Sequence, residues 1–242
     1  REALRNRVTV VVAVFALVLI ALTTVVMNLT VFSLDRVVTD FGLGVMSLLL
    51  VSLAVFMSVG MLNRELERRT VFLIVSRPIS RSQFIVARYL GMVATLTLLL
   101  VAMALVYAAQ LWIFDVPAPS SVPAAIGGLW CQLLLLCAMG VFFSAISGQV
   151  TSAISVVALY LIGQWTADLH VIALKLPPAL AALARAGYYV LPNFARMDFK
   201  AHAAAGMSVA GRDFVDGLGT SLGWSRLFVL FATVLFQRRD FK

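Results

Sequence analysis

Charged side chains that could act together are concentrated in residues 63–91, between two long apolar runs. Glu65, Arg68 and Arg69 stand at positions i, i+3 and i+4, where they can pair on one face of a helix. Pro78 then interrupts that helix, because the residue before a proline is driven out of the α conformation. The spacing predicts a short amphipathic helix, a rigid turn and a second helix. Such a segment is suited to ionic contacts with another protein, and a loop with solvated charges is the alternative.

Side chains for catalysis are scarce. The sequence has no G-x-x-x-x-G-K-[ST], so the chain does not bind ATP through a P-loop, and neither G-x-S-x-G nor H-E-x-x-H occurs. His170 and His202 are the only histidines, and neither has a second ligand nearby in the sequence. Cys131 and Cys137 lie six apart, which fits neither a metal site nor a redox pair. We expect no catalytic residue, no metal site and no cofactor bound by this chain.

The composition is that of an integral membrane protein. Hydrophobic residues make up 62% of the chain, against roughly 45–50% in soluble domains. The net charge of +8 could suggest a nucleic acid, but in membrane proteins lysine and arginine gather on the cytoplasmic side. We predict an all-α, multi-pass protein of the cell (inner or plasma) membrane, with no nucleic-acid partner.

Apolar runs divide the chain into six predicted membrane spans, each near the length of about 20 residues that crosses a bilayer. The uncharged stretch 116–167 is too long for one helix, so we interpret it as a hairpin that turns at the polar residues 144–152. The spans are predicted at residues 8–34, 41–62, 89–114, 122–145, 150–168 and 217–237. Residues 1–242 then form one transmembrane domain, in which 169–216 form one or two short helices that lie at the outer membrane surface or dip into it.

Basic residues indicate the orientation. With both termini, residues 63–88 and the turn 144–152 on the cytoplasmic side, that side holds twelve basic and four acidic residues. The opposite side then holds six basic and seven acidic residues. The positive-inside rule therefore predicts that both termini are cytoplasmic.

Arg226 is the charged residue that lies within a predicted span. It stands about 18 Å along the helix from Arg238, and an arginine at such depth suggests a functional site. The alternative is that the final span begins near Trp224 and that Arg226 extends to the outer interface.

Small residues recur every four positions at Gly140, Ser144, Gly148 and Ser152. Because this spacing lets helices approach closely, we predict a tight helix contact made by the fourth span. The alternative is a chance pattern in a segment rich in glycine and serine.

Residues 63–91 resemble a signature of type-2 ABC transporter permeases, the membrane subunits that work with a separate ATP-hydrolysing subunit. The signature reads E-x-E-x-x-T…S-x-P-x-x-R-x-x-F…K-x-x-G, and Arg88 replaces its usual lysine. The matching residues are Glu65, Glu67, Thr70, Ser76, Pro78, Arg81, Phe84 and Gly91. Residues 1–7, 191–194 and 236–241 resemble the family more weakly.

This resemblance implies that residues 63–82 form a coupling helix seated in a groove of the ATPase. The implied coupling residues are Glu65, Glu67, Arg68, Arg69, Thr70, Ser76, Pro78 and Arg81. The turn Ser147-Gly148-Gln149 would be a second, smaller contact, and residues 169–216 would cap the translocation path. The partners implied are the ABC ATPase subunit, which binds the ATP and Mg, and a second copy of this chain, in addition to the lipid bilayer.

The spans carry almost no charge, which favours a hydrophobic or amphiphilic cargo, and the resemblance implies an exporter. The runner-up hypothesis is a membrane anchor or regulatory subunit that transports nothing. A membrane-embedded enzyme that acts on lipids is the third, and it would need Asp, Glu or His clustered within the spans.

Overall fold

The computed structural model is helical throughout the part of the chain that it describes, with no strand there. The described residues are 2–29, 34–67, 81–166, 177, 181, 187–188 and 191–238. The long helices are α1 (Glu2–Leu29), α2 (Leu34–Glu67), α3 (Arg81–Ile113), α4 (Val122–Ile146), α5 (Gln149–Gln164) and α7 (Gly211–Arg238). A 3-10 turn (Ala195–Met197) and the short helix α6 (Lys200–Ala204) precede α7. The predicted all-α fold is confirmed over these residues.

Four of these helices contain a segment long and apolar enough to cross a membrane: Asp35–Val59, Ser82–Ile113, Val122–Ile146 and Gly211–Phe236. Two further apolar segments, Val10–Val25 within α1 and Gln149–Gln164, overlap predicted spans one and five. The sequence permits such long helices because none of its seven prolines falls in the interior of a described helix. Pro123 stands in the first turn of α4, where the missing N–H is tolerated.

Helix α2 is longer than the predicted span 41–62. It begins at Leu34 and runs to Glu67 without a break, so it includes the polar residues around Asp35 and the start of the charged block. Asp35 suits the first turn, because a carboxylate interacts favourably with the positive end of the helix dipole. At the other end, leucine, glutamate and arginine are good helix formers that continue the helix beyond its apolar part.

Helix α4 forms the centre of the bundle. It has no charged residue, and residues 131–141 are all buried. A helix that is apolar on every side is expected in the interior, and α4 packs against α2, α3, α5 and α7. The predicted tight contact is confirmed at Gly140 and Ser144, which meet Ser58 of α2, because a Cβ at Gly140 would collide with the Ser58 side chain. Gly148 has no such neighbour.

Helix directions follow from contacts with α4. In α3, the Tyr89 hydroxyl donates to the Leu134 carbonyl (3.4 Å), whereas further along α3 the Thr97 hydroxyl accepts from Trp130 Nε1 (2.9 Å), so α3 is antiparallel to α4. In α7, the Ser221 hydroxyl donates to the Cys131 carbonyl (2.6 Å), and further along α7 the ring of Phe228 lies 5.3 Å from that of Phe142, so α7 is parallel to α4.

One end of the bundle therefore collects the end of α2, the start of α3, the turn between α4 and α5, and the end of α7. We call this the charged end and define it by Glu67, Arg81, Ser147-Gly148 and Arg238. The opposite end, where residues 191–206 pack, is called the capped end. Gln110 Nε2 of α3 donates to the Leu19 carbonyl (3.1 Å), which places the later half of α1 toward the capped end.

Candidate functional site

The charged end extends beyond the apolar part of the bundle. Helix α2 has 34 residues, a length of about 51 Å against about 30 Å of hydrocarbon. In the sequence the apolar run of α2 continues to Leu62, so Glu65 and Glu67 stand in the last turns of the helix, beyond that run. Arg81 is the first residue of α3. The structure thus brings the backbones of these three predicted coupling residues to the same end of the bundle.

The remaining predicted coupling residues in this block lie outside the described residues. They are Arg68, Arg69, Thr70, Ser76 and Pro78.

The turn between α4 and α5 is held by serine hydroxyls. The Ser147 and Ser152 hydroxyls both donate to the Phe143 carbonyl, at 3.1 and 3.0 Å, and they lie 2.9 Å from each other. Ser152 is fully buried, whereas Gly148 and Gln149 are exposed. The structure therefore presents a rigid turn with an accessible tip at the charged end.

The first turns of α3 are anchored by a contact that the sequence did not reveal. The ring of Phe84 stacks on Phe236 of α7, with centroids 6.3 Å apart. The guanidinium of Arg88 lies 5.3 Å from the Phe84 centroid on the same helix. Because arginine stacks on aromatic faces, the replacement of the usual lysine by Arg88 suits this contact. The only available signal was the i, i+4 spacing of Phe84 and Arg88, since the partner ring lies 152 positions later in the chain.

The capped end is closed by residues 191–206, which pack into the bundle, as the second of the two predicted arrangements requires. Phe194 is fully buried, and its N–H donates to the Gly163 carbonyl of α5 (3.0 Å). A Cβ on Gly128 of α4 would collide with the Met197 carbonyl, and one on Gly163 would meet the Pro192 carbonyl. These two glycines therefore let the inserted backbone approach both helices closely.

A polar contact attaches the same segment to α2. Lys200 Nζ donates to the Ser47 hydroxyl (2.9 Å) and pairs with Asp198 Oδ2 (3.2 Å). Ser47 is buried, and the two charged side chains are about three-quarters covered. The predicted outer segment 169–216 thus includes a part that joins α2, α4 and α5.

Arg226 lies near the middle of α7, about 22 Å along the helix from Gly211. The helix runs through Trp224 without interruption. The Arg226 side chain is exposed, and within the part of the chain that the structure describes it has no hydrogen bond or ion pair.

Comparison with known proteins identifies the family of the chain. A family model described as ABC-2 family transporter protein matches residues 1–241. The chain belongs to the ABC-2 transporter family. A search of curated proteins returned no match to the chain.

Membership of the ABC-2 family confirms the resemblance to type-2 permeases that residues 63–91 indicated. Permeases of this family are transmembrane subunits that in general are not themselves the ATPase and work with a partner ATPase subunit. The chain is accordingly a multi-pass membrane protein with a permease role in transport.

Proposed function

We propose that this chain is the membrane-spanning subunit of an ATP-driven exporter in the cell (inner or plasma) membrane. It would cross the membrane six times with both termini in the cytoplasm and pair with a second copy of itself. A separate nucleotide-binding subunit would hold the ATP and Mg. The observation that carries the proposal is the family match over residues 1–241.

The architecture of the charged end supports a coupling role for residues 63–82. They connect α2 and α3, two helices of 34 and 33 residues. A short segment held between two long helices can move with them as a unit when a partner displaces it. Both helices pack on the central α4, at Ser58 and at Tyr89 respectively. Movement of the segment would therefore reach the centre of the bundle.

The turn Ser147-Gly148-Gln149 would be the second contact with the ATPase. Its exposed tip lies at the same end of the bundle as Glu67 and Arg81. The serine hydrogen bonds that hold the turn would let it transmit force to α4 without deforming.

The coupling assignment is tested by charge reversal. The Glu65→Arg, Arg81→Glu double variant and the parent chain would each be purified from the native membrane in mild detergent, and the proteins recovered would be identified by mass spectrometry. The matched control is Arg212→Glu, Asp216→Arg, which reverses two exposed charges in the first turns of α7, toward the capped end. We expect a P-loop ATPase with the parent and the control, and a loss of at least about tenfold with the test variant, because reversed charges at a protein interface repel the partner.

Each outcome of this experiment decides between hypotheses. Absence of an ATPase from the parent preparation would favour a membrane anchor or regulatory subunit instead of a permease. Retention of the ATPase by the test variant would show that Glu65 and Arg81 do not form the contact.

A hydrophobic or amphiphilic cargo is supported by the scarcity of charge within the apolar helices. The ATPase activity of the complex, reconstituted in vesicles, would be measured with and without candidate lipids. Stimulation by amphiphiles but not by water-soluble solutes is expected, and the reverse pattern would contradict the cargo assignment.

A further inference from the structure

A groove of about 340 Å³ lies between the first half of α7 and the segment that precedes α6. One wall is polar and the other is apolar. The residues used below are Tyr188, Asn193 and Arg196 on the polar wall, and Gly219, Gly223 and Leu227 on the wall formed by α7.

Arg196 is held in place without an acidic partner among the described residues. Its Nη2 donates to the Tyr188 hydroxyl (2.7 Å), the guanidinium lies 5.7 Å from the centroid of that ring, and its backbone N–H donates to Asn193 Oδ1 (3.2 Å). No carboxylate in the described part of the chain lies within ion-pair distance of Arg196. A guanidinium has five N–H donors, so an oriented cation with spare donors faces the groove.

The wall formed by α7 is open and, apart from Thr220, apolar. A Cβ on Gly219 or Gly223 would meet no atom within 4 Å, so space remains above both glycines. Leu227, one turn further along, is 45% exposed. From Gly219 to Leu227 the wall extends about 12 Å along the helix, which is enough to receive part of an acyl chain.

Arg226 flanks the same wall. It stands three residues after Gly223 on the exposed side of α7, and it too has no ionic partner among the described residues. Side chains of a helix lean toward its N-terminus, so Arg226 leans toward the turn that contains Gly223. An arginine within a membrane-spanning helix is costly unless an anion or water compensates it.

We propose that this groove binds an amphiphile with an anionic headgroup. Arg196, positioned by Tyr188 and Asn193, would bind the phosphate or carboxylate of the headgroup, and Arg226 would be the second cation. The chain of the amphiphile would lie on Gly219, Gly223 and Leu227. The identification of this ligand as the cargo rests on the proposed transport function, whereas its binding does not require the ATPase.

The binding can therefore be measured on the full chain alone. The chain would be reconstituted in nanodiscs that contain equal amounts of phosphatidylglycerol and phosphatidylcholine, and the lipids retained on release would be counted by native mass spectrometry. The test variants are Arg196→Gln and Arg226→Gln. The control is Arg212→Gln, which removes an exposed arginine of α7 that lies about 16 Å along the helix from Gly223, whereas Arg226 is within one turn of it.

We expect the parent and the control to retain phosphatidylglycerol in preference to phosphatidylcholine, and each test variant to reduce that preference roughly tenfold, because one charge-assisted hydrogen bond is lost. The Arg226→Gln variant should fold normally, because the Arg226 side chain makes no hydrogen bond or ion pair with a described residue. A change in its lipid preference could therefore not be attributed to misfolding. The Gly223→Leu variant, which fills the groove and leaves both charges, should reduce retention of the anionic lipid as well.

Three results would overturn the proposal. The first is an unchanged lipid preference in both arginine variants. The second is complete displacement of the anionic lipid by inorganic phosphate alone, which would indicate a site for the free ion. The third is an efficient disulfide between two copies carrying Gly223→Cys, which would indicate that a second copy fills the groove.

Loss of lipid selectivity in the variants with normal recovery of the ATPase would support this inference independently of the coupling assignment. Intact lipid selectivity without any ATPase would contradict the proposed function alone.

Discussion

The two ends of the helix bundle differ in how their polar residues are used. At the capped end, Lys200, Asp198 and Ser47 bond to one another, and residues 191–206 are packed among helices from three different parts of the sequence. At the charged end, α2 extends to Glu67, past the apolar run that ends at Leu62, and the turn at Gly148 and Gln149 is exposed. At the capped end, Lys200, Asp198 and Ser47 are thus satisfied by contacts within the chain, whereas Arg196 has no ionic partner among the described residues.

This difference predicts that variants at the two ends affect different properties, namely stability at the capped end and partner binding at the charged end. Variants at the capped end should reduce the free energy of unfolding, because they remove contacts that the chain makes with itself. Variants at the charged end should change stability little and affect the recovery of the ATPase. The following three predictions test that separation, beginning with the largest effect.

The largest loss of stability is expected from Gly128→Leu. The new side chain would collide with the Met197 carbonyl and the Phe199 ring, which lies 2.7 Å from the position of a Cβ. Overpacking of this kind should lower the free energy of unfolding by about 3 kcal/mol, measured by denaturant titration in mild detergent. The control is Gly44→Leu, because a Cβ at Gly44 meets nothing within 4 Å. Equal destabilisation by both variants would mean that residues 191–206 do not depend on this contact.

An intermediate effect is expected from Lys200→Met. The change leaves the partly buried Asp198 carboxylate without its cation and removes the bond to Ser47. Loss of a hydrogen bond to a charged group should lower the free energy of unfolding by about 1–2 kcal/mol. Arg212→Met, which removes an exposed cation, should stay within about 0.5 kcal/mol of the parent. A Lys200→Met protein as stable as the parent would show that the ion pair does not hold the segment on α2.

The smallest loss of stability is expected at the charged end, from Ser152→Ala. This variant removes the hydroxyl that contacts the Phe143 carbonyl and Ser147. The free energy of unfolding should fall by about 1 kcal/mol, and recovery of the ATPase should fall with it if the turn is a coupling contact. The neighbouring exposed residue supplies the control, Thr151→Ala, which should leave stability unchanged. A loss as large as that from Gly128→Leu would contradict the difference between the two ends.

Much of the fold was predictable from local patterns. The apolar runs predicted helices of membrane-spanning length, and the four-residue repeat predicted a tight contact made by the fourth span, which the structure shows between Gly140 and α2. The bounds of the helices were less predictable, as α2 shows, because charged residues such as those at 63–67 can continue a helix as readily as they form a loop.

The class of this protein and its family follow from the amino-acid sequence alone. Composition and the spacing of prolines are properties of the chain that need no tertiary contact, and the signature at residues 63–91 is recognisable from its letters. Helix packing, in contrast, established that residues 191–206 enter the bundle and that Arg196 lies beside a groove on α7. Hydrophobic periodicity reports which face of a helix is buried, but not which distant residue covers it. Gly128 and Met197, or Arg196 and Gly223, are therefore brought together over long separations in sequence, and no local pattern encodes those pairs.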